Sequence, residues 1–330
     1  MIRPYQYSYN KIQKIQSFVN HVMLDVIFKA PKIPNPTFSS ALVLPKYRIL
    51  ITGINNNYVL NPLSDAYLIC KGLSSTQLKT LKKAVHNNNK IRELCNGTIE
   101  PVKYSEIEII NADLVVALKT FCNYLYDEVV KKAPFYNNYE NINTYYKTVV
   151  KKSSFCRCCG INKVLTQFHT HRSALDHYLP RKHYPFNSLN FKNLVPICDV
   201  CNSKYKLSED TLYSTNTRVK AFYPFRNDIP DIKINIVFNK PFDDTIMPND
   251  IELNLTCVGF QEEVETWERV FGIAENYKAE CCTDEMRMYF EEQYIALMNR
   301  GISKADYIDD LNRNRFGDAN FLKIPFLEAI

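Results

Sequence analysis

The stretch CRCCGINKVLTQFHTHRSALDHYLPRKHYPFNSLNFKNLVPICDVCNSKYK, residues 156–206, decides how this chain is read. It carries two C-x2-C pairs, Cys156/Cys159 and Cys198/Cys201, with 38 residues between them. A two-residue spacing lets both sulfurs of one knuckle face a single tetrahedral Zn²⁺, and Gly160 follows the first knuckle as a tight-turn residue. Four cysteines leave no open coordination position, so a metal held here is structural. The insertion is longer than in the shortest zinc ribbons, so something is folded between the knuckles. Cys158 reads as a bystander between two ligands. His169 and His171 form an HxH pair, but the cysteine set is complete without them.

Inside the insertion lie Asp176-His177 and then Asn193-Leu194-Val195-Pro196, while Asn202 follows the second knuckle and Lys204 and Lys206 come just after it. In this order the segment resembles the HNH, or ββα-metal, nucleases. The pattern of that family runs CxxCG, DH or HH with an apolar-Pro pair, NLVP, then CxxCN or CxxCH with a basic residue. Here the elements stand as CRCCG, DHYLP, NLVP and CDVCN. The longer form DHYLPRKHYPFNSLNFKNLVPICDVCN is similar to a bacterial subgroup, several of whose members serve in antiphage defence. The likeness spans about 50 residues.

The resemblance implies a first strand over roughly 174–179 ended by Pro180, a second near 193–197, and a helix from Asn202 through Lys206. Zinc at the knuckles would tie that helix to the hairpin. It further implies a metal-dependent endonuclease acting on DNA, with RNA left open. His177 would be the general base, since an imidazole can be neutral near pH 7 and accept a proton. Asp176 and Asn202 would offer hard oxygens to Mg²⁺ or Mn²⁺. Asn193 would hold the loop between the strands and help orient His177. Strict strand alternation points Asp176 and His177 to opposite faces, so their convergence on one ion requires twist near Pro180. Arg181, Lys182, His183 and Lys204 are candidate phosphate contacts. Two other functions fit the same residues. One is a non-catalytic zinc-ribbon nucleic-acid-binding protein. The other is a nuclease inactive until a partner or regulatory subunit, or another trigger, releases it.

Outward from this segment, charge is uneven. Residues 1–150 carry +8, residues 151–226 carry +9 and residues 227–330 carry −11, within a net +6. The middle segment has the footprint of a polyanion binder. At 46% hydrophobic and 23% charged, the 330 residues exclude a wholly disordered chain, and eight glycines exclude a collagen-like one. No stretch approaches the roughly 18 apolar residues of a membrane span, and the start MIRPYQYSYNKIQKIQ shows no secretory apolar region. Eleven cysteines, four in paired knuckles, point to metal binding in a reducing compartment, hence a cytoplasmic protein without membrane contact.

The expected class is α+β in three parts. Residues 1–150 form a mainly helical domain of unassigned role, 151–226 the zinc-bound ββα-metal module, and 227–330 an acidic lobe of strands then helices. Apolar spacing predicts helices over 11–30, from Ser74 toward Gly97 (with the NNN at 87–89 as an earlier stop), and over about 105–132. YRILITGI, 47–54, reads as a strand, and the Asn/Tyr-rich 136–146 as an irregular joint. Within 232–258, DIKINIVF and IELNLTCV predict a hairpin or neighbouring strands. Helices are predicted over 262–271, 283–298 and 303–313. Trp267 reads as core. FYPF, 222–225, reads as packing between the last lobe and the zinc module.

Overall fold

The structure is a computed structural model that describes residues 2–53 and 55–330. The chain is α+β, rich in helix, with three small antiparallel two-stranded sheets among the described residues. Up to residue 150 it is helical: α1 (Lys14–His21), α2 (Pro45–Thr52), α3 (Leu60–Lys71), α4 (Ser75–Asn88), α5 (Ile91–Cys95), α6 (Tyr104–Ile110), α7 (Ala112–Asp127), α8 (Ala133–Tyr139) and α9 (Ile142–Val150). After α1 the chain continues through a wider π turn and a 3-10 turn to Lys32, with Pro31 inside the last turn. Ser74 and Gln77 form a reciprocal capping box on α4, which stops at Asn88. The helix expected over 105–132 is divided because Asn111 turns extended and caps α7 through its side chain.

Two expectations are corrected. Residues 47–52 are helix, not strand: Pro45 starts α2, and Tyr47, Leu50 and Ile51 sit at i, i+3 and i+4 facing the core. Among the described residues no neighbouring strand offers a ladder, so packing overrides the β-branched composition. Ile54, the end of that expected strand, lies outside the described residues. The Asn/Tyr-rich 136–146 is mostly the end of α8 and the start of α9, joined at Asn141, whose side chain accepts from the Asn143 N–H at 2.7 Å. Its tyrosines are buttresses. The Tyr145 hydroxyl donates to Phe191 O at 2.6 Å and Leu194 O at 2.8 Å, and Tyr146 donates to Leu165 O.

The middle of the chain pairs β1 (Leu175–His177) with β2 (Leu194–Pro196), placing Asp176 opposite Val195 and His177 opposite Leu194. Pro180 and Pro196, which lack a donor N–H, help to keep both strands short. A π-helical segment, Val200–Lys206, follows the second knuckle. A second small pair, β3 (Tyr213–Ser214) and β4 (Thr217–Arg218), precedes the hairpin of β5 (Lys233–Phe238) and β6 (Ile251–Thr256). Then come α10 (Gln261–Phe271), α11 (Ile273–Cys281), α12 (Asp284–Met288), α13 (Ile295–Met298), α14 (Lys304–Arg313) and α15 (Asn320–Ala329). The helix expected over 283–298 is interrupted by a π turn at Tyr289–Tyr294.

One buried apolar cluster runs through all three segments. No helix is long and apolar enough to cross a membrane, among the described residues.

Candidate metal centre and hairpin site

The knuckles converge. The sulfurs of Cys156, Cys159, Cys198 and Cys201, all buried, lie within 4.8 Å of one another, and Cys159 and Cys198 are 3.9 Å apart. Four Zn–S bonds of about 2.3 Å in a tetrahedron place sulfurs about 3.8 Å apart, so these four can hold a metal ion such as zinc. Backbone donors already point at the sulfurs: Cys198 N–H to Cys156 Sγ and Cys201 N–H to Cys198 Sγ, both at 3.4 Å. Contacts from Cys156, Cys198 and Cys201 pull the Cys159 thiol well below its ordinary pKa. Burial and the neighbouring sulfurs push the Cys156 and Cys201 thiols up instead, so the four do not ionise together unless a cation replaces their protons. His169 is not part of this set; its Nδ1 accepts from Thr166 N–H at 2.9 Å.

Neighbours from both ends of the chain close the knuckle. Ile2 N–H and Arg3 N–H donate to Cys158 O and Arg157 O. The Trp267 indole donates to Cys158 O at 3.1 Å, and the Tyr277 hydroxyl to Cys159 O at 2.6 Å. Gly160 has φ +82°, and a Cβ there would fall 2.5 Å from the Phe321 ring. In FYPF, Phe222 and Phe225 are buried, Phe222 beside Phe260 of the last segment and Phe225 beside Tyr5 and Tyr7 near the start of the chain.

At the hairpin, Asp176 is 4% exposed, and its Oδ1 accepts from the Lys206 ammonium at 2.8 Å. The same ammonium donates to the His177 carbonyl at 2.8 Å. Asp176 Oδ2 is buried with no hydrogen-bond partner. Burial raises the Asp176 pKa, and Lys206 opposes that shift. His177 points elsewhere. Its Nε2 lies 2.9 Å from Ser188 O, and its ring meets Tyr126 of α7 edge-on at 4.4 Å. A nitrogen facing a carbonyl carries the proton, so in the neutral ring Nδ1 is the acceptor. Burial, then the Arg181 cation, lowers the His177 pKa to about 3, against a raising contribution from Ser188. The ring is therefore neutral at physiological pH.

The two side chains engage different elements, as strand alternation demands. Asn193, fully buried, binds the Leu179 backbone twice: Oδ1 accepts from N–H at 2.7 Å and Nδ2 donates to C=O at 3.0 Å. It clamps the strand end, and Ser188 rather than Asn193 touches the imidazole. Asn202 is half-buried and its side chain makes no hydrogen bond among the described residues. It stands four residues before Lys206 on the same helical segment. Next to Ser188, Asn187 is fully buried with both amide atoms unpaired.

Of the basic candidates, Lys182 and Lys204 are exposed without partners among the described residues. Arg181 is held by both oxygens of Asp127 at 3.0 Å, and His183 lies 3.1 Å from Ser208 O. Lys206, Ser188 and Tyr126 are the site groups that spacing did not single out. Only Lys206 had a signal, being the second basic residue after CxxCN. Comparison with protein-family models, with curated proteins and with solved structures gives no match for this chain.

Proposed function

We propose that this protein is a metal-dependent endonuclease of the HNH type, hydrolysing DNA phosphodiester bonds, with a role in antiphage defence following from the subgroup resemblance. The observation that carries the reading is the His177 imidazole. It sits at the end of a cysteine-clamped hairpin, its Nε2 proton committed to Ser188 O and its Nδ1 lone pair left to accept a proton from water. An arriving phosphate adds negative charge beside the ring and raises its basicity from the resting value near 3. Zn²⁺ belongs at Cys156, Cys159, Cys198 and Cys201, where sulfur-only donors suit it.

Asp176 through its unpaired Oδ2, with Asn202, would hold Mg²⁺ or Mn²⁺. When bound, such an ion supplies positive charge against the phosphorane and the leaving oxygen. Lys182 and Lys204 are free to meet phosphates. The protein should nick plasmid DNA with Mg²⁺ or Mn²⁺. His177→Ala should lose on the order of 10²–10⁴ in rate while remaining folded, read by circular dichroism. Undiminished cutting by that variant would remove the reading.

One observation favours a second reading. Lys206 already neutralises Asp176 on Oδ1, which suits either a non-catalytic nucleic-acid binder or a nuclease held off until a partner moves Lys206. Salt-sensitive DNA binding without cleavage under any divalent ion favours the binder. Cutting that appears only with a partner or trigger favours the held nuclease.

A further inference from the structure

Two adjoining clefts, of about 600 and 560 Å³, share Ser8, Lys151 and Arg157 and form one track on the surface. No acidic residue lines either cleft. Arg3, Lys151, Lys152 and Arg157 stand along them, and among the described residues none of the four is paired with a carboxylate. Arg226, a fifth cation, is paired with Asp228.

Arg3 and Arg157 are half-buried neighbours whose Nε atoms are both buried without a hydrogen-bond partner. Backbone bonds fix them side by side: Arg3 N–H donates to Arg157 O, and Tyr5 N–H to Pro224 O. Their guanidinium planes rest on rings, Arg3 at 5.0 Å over Phe316 and Arg157 at 5.3 Å over Tyr5. Arg3 donates through Nη2 to Ser153 Oγ at 3.4 Å and Arg157 through Nη1 to Pro4 O at 2.5 Å, so two like charges, partly stripped of water, meet only neutral oxygens, and an anion would relieve their repulsion. A guanidinium suits phosphate because its donors match two oxygens at once.

We propose that this track binds a single strand of nucleic acid, its successive phosphates on Arg3, Arg157, Lys151 and Lys152 and a base on the exposed Tyr7 ring. Cations spread along a track fit a repeating backbone better than one phosphate group. The inference does not rest on hydrolysis at His177; it concerns binding alone.

The test uses the full chain carrying His177→Ala, without added divalent ions, and fluorescence anisotropy of a labelled 15-nucleotide oligothymidylate. Lys151→Ala/Lys152→Ala, both at exposed positions, should weaken binding at least tenfold and flatten the salt dependence by about 1.4 in log–log slope, roughly 0.7 per lost phosphate contact. Tyr7→Ala should weaken it roughly tenfold through lost stacking. Lys79→Ala/Lys83→Ala, exposed on α4, should change little. Equal losses from the α4 pair would overturn the track in favour of diffuse charge. Displacement of the oligomer by micromolar dTMP would overturn the strand in favour of a free nucleotide.

Discussion

Lys206 and Asp176 bury opposite charges 2.8 Å apart, at 1% and 4% side-chain exposure. Removing one partner leaves an uncompensated buried charge, so Lys206→Met should cost about 3–5 kcal/mol. Asp176→Asn/Lys206→Met should recover much of it, since a neutral pair carries no such penalty. Urea unfolding of both variants checks this; a single variant costing under about 1 kcal/mol would mean the pair is solvated. His177 sets a pH dependence of its own. Its folded pKa is lowered from 6.5 to about 3, so its contribution is present above 6.5. As pH falls from 6.5 toward 3, the unfolded chain takes up a proton that the folded ring refuses. Stability then declines by up to about 1.4 kcal/mol per pH unit. Asp176, with its pKa raised from 3.8, runs the other way: its contribution is present below 3.8 and lost as pH rises through the folded value. His177→Gln should remove the first slope and keep the second, read as urea midpoints across the acid range.

The knuckle, hairpin and π segment bring together four sulfurs that can hold a metal ion such as zinc, and a bound ion would tie them into one unit. Structural zinc in small peptides is worth about 10–16 kcal/mol, as much as a whole domain's stability. Removal of metal by a chelator, or Cys198→Ser, should therefore unfold this unit. The single tryptophan, Trp267, is 1% exposed and donates to Cys158 O, so its emission should shift to the red as metal leaves. An unchanged spectrum would separate the indole from the metal loop. Gly160→Ala should be strongly destabilising, because φ +82° and a Cβ 2.5 Å from the Phe321 ring act together. Thermal melts of that variant should show a loss of several degrees.

At the scale of the molecule, the acidic last segment is structural cover for the metal loop. Trp267, Tyr277 and Phe321 come from it and pack on residues 158–160. Truncation after residue 226 should consequently yield aggregated or unfolded protein rather than raised DNA cutting. A soluble, zinc-loaded truncation with raised cutting would point instead to release of an inhibitory segment. Some of the acidic surplus meets the basic segments directly, as where Glu262 accepts from Lys220 N–H at 2.8 Å and faces the Lys220 ammonium at 3.5 Å.

Spacing alone determined the two cysteine pairs, the capped start of α4 and the strands at 233–256, while the short hairpin with its Asp176–His177 strand was what the family resemblance implied. Each depends on neighbours within a few residues or on a repeat of two or three to four. The tertiary structure decided what faces those groups. Lys206 reaches Asp176 across 30 residues, Ser188 orients His177 from within the loop, and α9, whose start local composition read as a joint, supports the hairpin through Tyr145. Residues 2 and 3, α10, α11 and α15 come to the cysteine loop from the two chain ends. Such contacts join groups distant in the chain through burial and hydrogen-bond geometry. Local periodicity marks an apolar face, as at Trp267, but which polar groups meet inside the assembled core is set by distant neighbours that periodicity does not record.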